Sequence, residues 1–133
     1  MTNYTLVDMC PRKAIHTHNV KWEQIEILLK AIHNSKWGSI SLEVEDINAV
    51  DLGPTDLNLK IENGWYLITL MEVTENDEEV RSYYKPDPNY KMVEILGYEW
   101  SSTQLIRDFD LVLQIFKEFY ETGDVSKDIL DFD

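Results

Sequence analysis

The chain has 133 residues, room for one domain, and a domain of that length buries roughly two-thirds of its unfolded surface without needing a disulfide or a metal. A hydrophobic content of 44% argues against disorder, and 25 acidic against 12 basic residues leaves a net charge of −13. Such a surface repels phosphate backbones, so nucleic acid and anionic membranes are disfavoured as partners and basic proteins are favoured.

One cysteine, Cys10, excludes an intramolecular disulfide and fits a reducing compartment. The stretch from Met1 to Lys13 is too polar for a secretory signal, and the longest apolar run, Trp65 to Met71, is too short to span a bilayer. The expectation is a single cytoplasmic domain over residues 1–133.

In chain order, Tyr4 to Met9 suggests a short strand ended by Pro11. From Asn19 to His33 the spacing is helical, with Trp22, Ile25, Leu28, Leu29 and Ile32 on one side and Asn19 as the expected N-cap. The period then drops to two. Ile40, Leu42 and Val44 alternate with polar residues in Trp37 to Glu45, which predicts a half-buried strand. Gly53-Pro54 reads as a turn, and Leu57, Leu59 and Ile61 share one face of the next strand, Asp56 to Glu62.

Asn63-Gly64 is a strong hairpin signal, because a type I′ turn needs a positive φ at both central residues. A two-residue loop sets the register: Glu62 faces Trp65, Ile61 faces Tyr66, Leu59 faces Ile68 and Leu57 faces Leu70. The opposite face, with Trp65, Leu67, Thr69 and Met71, is too apolar for open solvent. The N-terminal segment is the expected cover, and an interface with a partner is the alternative. Thr74 to Glu79 reads as an acidic loop, Val80 to Lys85 as a strand, Pro86 to Asn89 as a turn and Lys91 to Tyr98 as a further strand.

Ser101 and Gln104 match a capping box. Leu105, Ile106, Phe109, Val112, Leu113, Phe116, Phe119 and Tyr120 follow within an apolar sector of roughly 140°, and Gly123 suits a helix end. A weakly docked tail closes the chain. These elements predict an α+β domain: a mostly antiparallel meander of about five strands, with an N-terminal helix and a long C-terminal helix packed on one face.

Catalytic signatures are sparse. His16 and His18 are read as projecting to opposite sides of an extended segment, which is poor geometry for chelation, and no ligand set accompanies them. No metal or cofactor is expected. Cys10 beside Arg12 and Lys13, with His16 as a conceivable base, is a remote catalytic alternative. The more informative constellation is acidic and aromatic: Glu72, Glu75, Asp77, Glu78 and Glu79, then Tyr83, Tyr84 and Asp87, with Arg81 as the lone opposing charge. Crowded carboxylates repel one another; they speed encounter with a cationic surface, and aromatics supply the anchors. The plain alternative is a solubilising loop.

Three segments, Trp37 to Leu42, Gly64 to Leu70 and Phe116 to Gly123, carry a family likeness. With them, this small acidic chain resembles the immunity proteins of bacterial contact-dependent growth-inhibition and polymorphic-toxin systems. The resemblance implies a non-enzymatic inhibitor, monomeric in a 1:1 complex, that occludes the active site of a cognate cationic toxin domain. A nuclease is the expected toxin, a ribonuclease by preference. The eight residues from Glu72 to Asp87 named above are the expected contacts. A protein-interaction module of another kind, or a homodimeric adaptor, is the alternative.

Overall fold

The computed structural model describes residues 3–9, 14–46 and 51–132. Its centre is the hairpin that Asn63-Gly64 dictates. Asn63 has φ 51° and Gly64 φ 79°, so the turn is left-handed twice over. β4 (Gly53–Glu62) and β5 (Trp65–Thr74) pair in the expected register, with Ile61 opposite Tyr66, Leu59 opposite Ile68 and Leu57 opposite Leu70. Gly53-Pro54 is not a free turn. It opens β4, and the register shifts between Pro54 and Asp56 as in a bulge, which accommodates a proline that cannot donate to the ladder.

β3 (Trp37–Val44) adds to β4, and β1 (Tyr4–Asp8) adds to β3. β2 (Ile15–Thr17) and β6 (Asp77–Ser82) extend the sheet outward, and β9 (Asp131–Phe132) closes it beside β6. The order is β2-β1-β3-β4-β5-β6-β9, antiparallel throughout: seven strands among the described residues, not about five. Strands of two and three residues at the margins are too short to leave a period-two signature.

The span Lys91 to Tyr98 is not a single strand. It folds back at Leu96-Gly97 (φ 49° and 91°) into a separate hairpin, β7 (Met92–Ile95) and β8 (Tyr98–Ser101). That hairpin, rather than the N-terminal segment, covers part of the second sheet face. Leu67 is buried with Ile95 and Leu105, and Trp65, Val93, Leu96 and Trp100 pack around them.

Both helices lie on the other face. α1 (Trp22–Ile32) contributes Ile25, Leu29 and Ile32 to the main core. It begins later than the spacing suggests. Asn19 adopts φ 48° in a turn, its N–H donating to the Glu45 carboxylate, and the Lys21 N–H donates to Gln24 Oε1 at 2.8 Å. α2 (Phe109–Thr122) buries Val112, Ile115, Phe116 and Phe119, and Gly123 at φ 80° ends it as expected.

Ser101 does not start α2. It caps one 3-10 turn, Ser102–Gln104, and the N-cap of α2 is Asp108, whose carboxylate accepts from the Asp110 N–H at 3.0 Å. Between them the chain is extended, because Ile106 exchanges both backbone hydrogen bonds with Tyr66 (2.8 and 2.9 Å). The β5–β6 ladder begins only at Thr69. Tyr66 therefore needs another partner on that side, and satisfying it outweighs one more helical turn.

Tyr4 ties β1 to α2. It is 2% exposed, its hydroxyl donates to the Phe119 carbonyl at 3.2 Å, and burial, with Tyr120 adding, raises its pKa above the ordinary 10.0. A raised native pKa favours the neutral phenol, so this stability is present in full below the unfolded pKa and falls as pH climbs through the native one. Chemical denaturation should therefore show declining stability above about pH 10. Tyr4→Phe should flatten part of that decline and lose about 1 kcal/mol at neutral pH. An unchanged alkaline limb in the variant would assign the decline elsewhere.

Candidate functional site

The acidic run folds into the β5–β6 hairpin, not a loop. Only Glu75-Asn76 turn; Asp77, Glu78 and Glu79 belong to β6. Opposed residues on antiparallel strands share a face, so Leu70, Glu72, Arg81 and Glu79 line the helix side, whereas Met71, Val73, Glu78 and Val80 line the other. Glu75, Asp77, Glu78 and Glu79 are exposed. None has a basic side chain within 4.0 Å among the described residues. Thr74 Oγ1 donates to Glu79 Oε2 at 2.8 Å and accepts from the Asn76 N–H, which holds the tip in shape. Among the described residues β9 pairs with Arg81 and Ser82 alone, so Asp77 to Val80 form a sheet edge without a partner strand there, carrying three carboxylates in four residues. Charge on such an edge also opposes pairing with stray strands.

Glu72 stands apart from its neighbours. Arg81 is fully buried at 0% exposure, and its Nη1 donates to Glu72 Oε1 at 2.8 Å and to Asp124 Oδ1 at 2.7 Å. Its Nε and Nη2 donate to the Leu130 carbonyl, and Nη2 also to that of Val125. The expected lone cation is thus the hub that fastens the C-terminal tail. The tail is not weakly docked, since Val125 and Leu130 join the main core. An arginine at a period-two core position, opposite Leu70, was the available signal for this role.

Tyr83, Tyr84 and Asp87 lie past the other end of β6. At roughly 3.3 Å per residue the extended chain puts about 13 Å between Glu79 and Tyr83 and about 23 Å between Asp77 and Tyr84, so the acidic and aromatic groups do not form one cluster. Tyr84 is 66% exposed. Tyr83 and Asp87 instead line a groove of about 800 Å³ together with Trp65, Lys85, Lys91, Leu105, Arg107 and the start of α2. Cations converge there: Arg107 lies 4.4 Å and Lys91 5.5 Å from the Trp65 ring centre. Three of the chain's twelve basic residues around one groove is a feature that linear spacing conceals.

The histidine geometry differs from expectation. The rings of His16 and His18 are stacked with centres 6.4 Å apart, because residues two apart on an extended segment share a face. His18 Nδ1 is 3.1 Å from Thr5 Oγ1. No group of three or more His, Cys, Asp or Glu residues that could hold a metal occurs among the described residues. Cys10 lies outside them. No helix among them is long and apolar enough to cross a membrane.

The architecture is a two-layer α+β fold with an antiparallel sheet. The chain belongs to a family of unknown function, DUF6911, whose model matches residues 1–129. The same fold occurs in a hypothetical protein from Neisseria gonorrhoeae. That crystal structure superposes with a TM-score of 0.75 at 18% identity, over 95% of this chain and 92% of the other. No curated protein matches the chain.

Proposed function

We propose that the chain is an immunity protein: a stoichiometric inhibitor that binds the cationic toxin domain of a contact-dependent growth-inhibition or polymorphic-toxin system and occludes its active site. The observation that carries this reading is the β5–β6 tip, where Glu75, Asp77, Glu78 and Glu79 stand exposed without a basic partner among the described residues. Packed like charges cost stability, and a complementary surface recovers it on contact. A nuclease must attract phosphate, so its cleft is basic, and a row of carboxylates on a rigid hairpin imitates the polyanion. The contact set centres on the tip. Glu72, paired with Arg81, lies behind the tip, and an interface of ordinary size, about 800 Å² per partner, spans both the tip and Tyr83, Tyr84 and Asp87.

The test has two stages: sequencing beside this gene should find a toxin gene, and association of the chain with the domain that gene encodes is then followed by stopped flow as salt is raised. The rate should drop by about tenfold or more between low and physiological ionic strength, as the Debye length contracts to about 8 Å. Combining Glu75→Gln, Asp77→Asn, Glu78→Gln and Glu79→Gln should produce a similar loss at low salt while thermal stability holds or rises, because the mutual repulsion is gone. An on-rate indifferent both to salt and to these substitutions defeats the proposal.

A second reading, an interaction module unconnected with toxins, is favoured by exposed Tyr84, Tyr90, Met92 and Tyr98 around the β7–β8 hairpin. Aromatics so displayed are typical of contact surfaces. Light scattering at high concentration separates a self-associating adaptor from a monomer.

A further inference from the structure

The groove beside Trp65 carries charge opposite to that of the molecule. Lys85, Lys91 and Arg107 line it, in a chain with thirteen excess negative charges. None of the three has a carboxylate oxygen within 4.0 Å among the described residues. The two acids of the lining are turned to local work: Asp87 Oδ1 accepts from the Asn89 N–H at 2.8 Å, and Asp108 Oδ1 from the Asp110 N–H. The first turn of α2, a helix of 14 residues, adds the positive end of its dipole to the same rim.

The walls are held by the backbone. The Lys85 N–H donates to the Thr103 carbonyl at 2.8 Å, the Ser102 N–H to the Lys91 carbonyl at 2.8 Å, and Ile106 is locked to Tyr66. Around these exposed cations the lining is mixed: Tyr83, Pro86, Leu105 and Leu111 supply apolar surface, and Asn89 and Ser102 polar groups. A volume of about 800 Å³ lies within the range of small-ligand sites. Three cations against the two carboxylates of the lining leave a net positive groove, and an anion seated nearer the cations lowers their mutual repulsion.

We propose that this groove is a binding site for a small organic oxyanion, a phosphate or carboxylate carried on a flat apolar body. Lys85, Lys91 and Arg107 receive the anionic group, and the apolar lining takes the body. The site lies apart from the acidic tip but shares Tyr83 and Asp87 with the proposed toxin contact set; its test uses the chain alone and does not depend on the immunity reading.

Phenyl phosphate, benzoate and the neutral benzyl alcohol are the probes, titrated into the labelled full chain at low salt and followed by amide and indole NMR. Both anions should give saturable shifts confined to the Trp65 indole and to residues 83–91 and 102–108, with Kd near ~1 mM. Benzyl alcohol should bind about tenfold more weakly or not at all. The stronger of the two anions identifies the headgroup. Lys85→Gln, which touches no ring, and Lys91→Gln should each weaken binding about tenfold, while Lys117→Gln on the far part of α2 should not. Absence of saturable shifts with both anions, or equal losses in Lys85→Gln and Lys117→Gln, overturns the proposal.

Discussion

Arg81→Ala should destabilise the protein by about 3–5 kcal/mol, the cost of leaving a buried charge network without its centre. The side chain is wholly buried and satisfies the carbonyls of Val125 and Leu130 as well as Glu72. Alanine would strand those acceptors and open a cavity between β6 and the tail. The Asp124 pair contributes far less. That carboxylate is 54% exposed, so solvent screens it, and Asp124→Ala should cost about 1 kcal/mol at most. Arg81→Lys should fall between, because an ammonium keeps the charge but lacks the planar fork that reaches both carbonyls. Urea unfolding gives the ranking, and limited proteolysis should release the segment after Gly123 first in Arg81→Ala. Equal losses for Arg81→Ala and Asp124→Ala would mean that the exposed pair, not the buried carbonyls, fastens the tail.

Phe119→Ala should cost a similar amount, about 3–5 kcal/mol, for a different reason. Phe119 is completely buried in the main core, and its ring centre lies 5.3 Å from that of Tyr4. Its backbone carbonyl accepts from both the Tyr4 hydroxyl and the Gly123 N–H, so the residue joins β1, α2 and the helix end. Truncation leaves a void lined by groups that backbone hydrogen bonds prevent from collapsing inward. The urea midpoint should drop with little change in slope. Phe119→Leu, which fills most of the volume, should recover more than half the loss; recovery of none would mean that the tilted ring contact with Tyr4 outweighs packing at this position.

Much of the fold was legible because its signals are local. The hairpin register follows from Asn63-Gly64 and alternation alone; the apolar spacing gives the core face of α1 and most of that of α2, where it missed buried Ile115 and extended the face to Leu105 and Ile106, outside the helix. The acidic tip was legible as composition but not as shape: Thr74 to Glu79 has the chemistry of a loop, yet pairing with β5 makes strand of half of it. The cationic groove was not legible, since Trp65, Lys85, Lys91 and Arg107 come from separated segments that only the β7–β8 hairpin and the 3-10 turn bring together.

The amino-acid sequence by itself determined the α+β class, the central register, the core face of α1 and most of that of α2, and the excess negative charge, all properties of neighbours a few residues apart. Tertiary structure decided the rest. It stopped α2 short of Ser101, because Ile106 satisfies the open backbone of Tyr66. It moved Lys91 to Tyr98 off the sheet edge to cover Leu67, and it turned Arg81 from a surface counter-charge into the clasp of the tail. In each case a buried backbone group or apolar side chain distant in sequence had a need that local preference could not register, and meeting it outweighed a turn of helix or an exposed salt bridge.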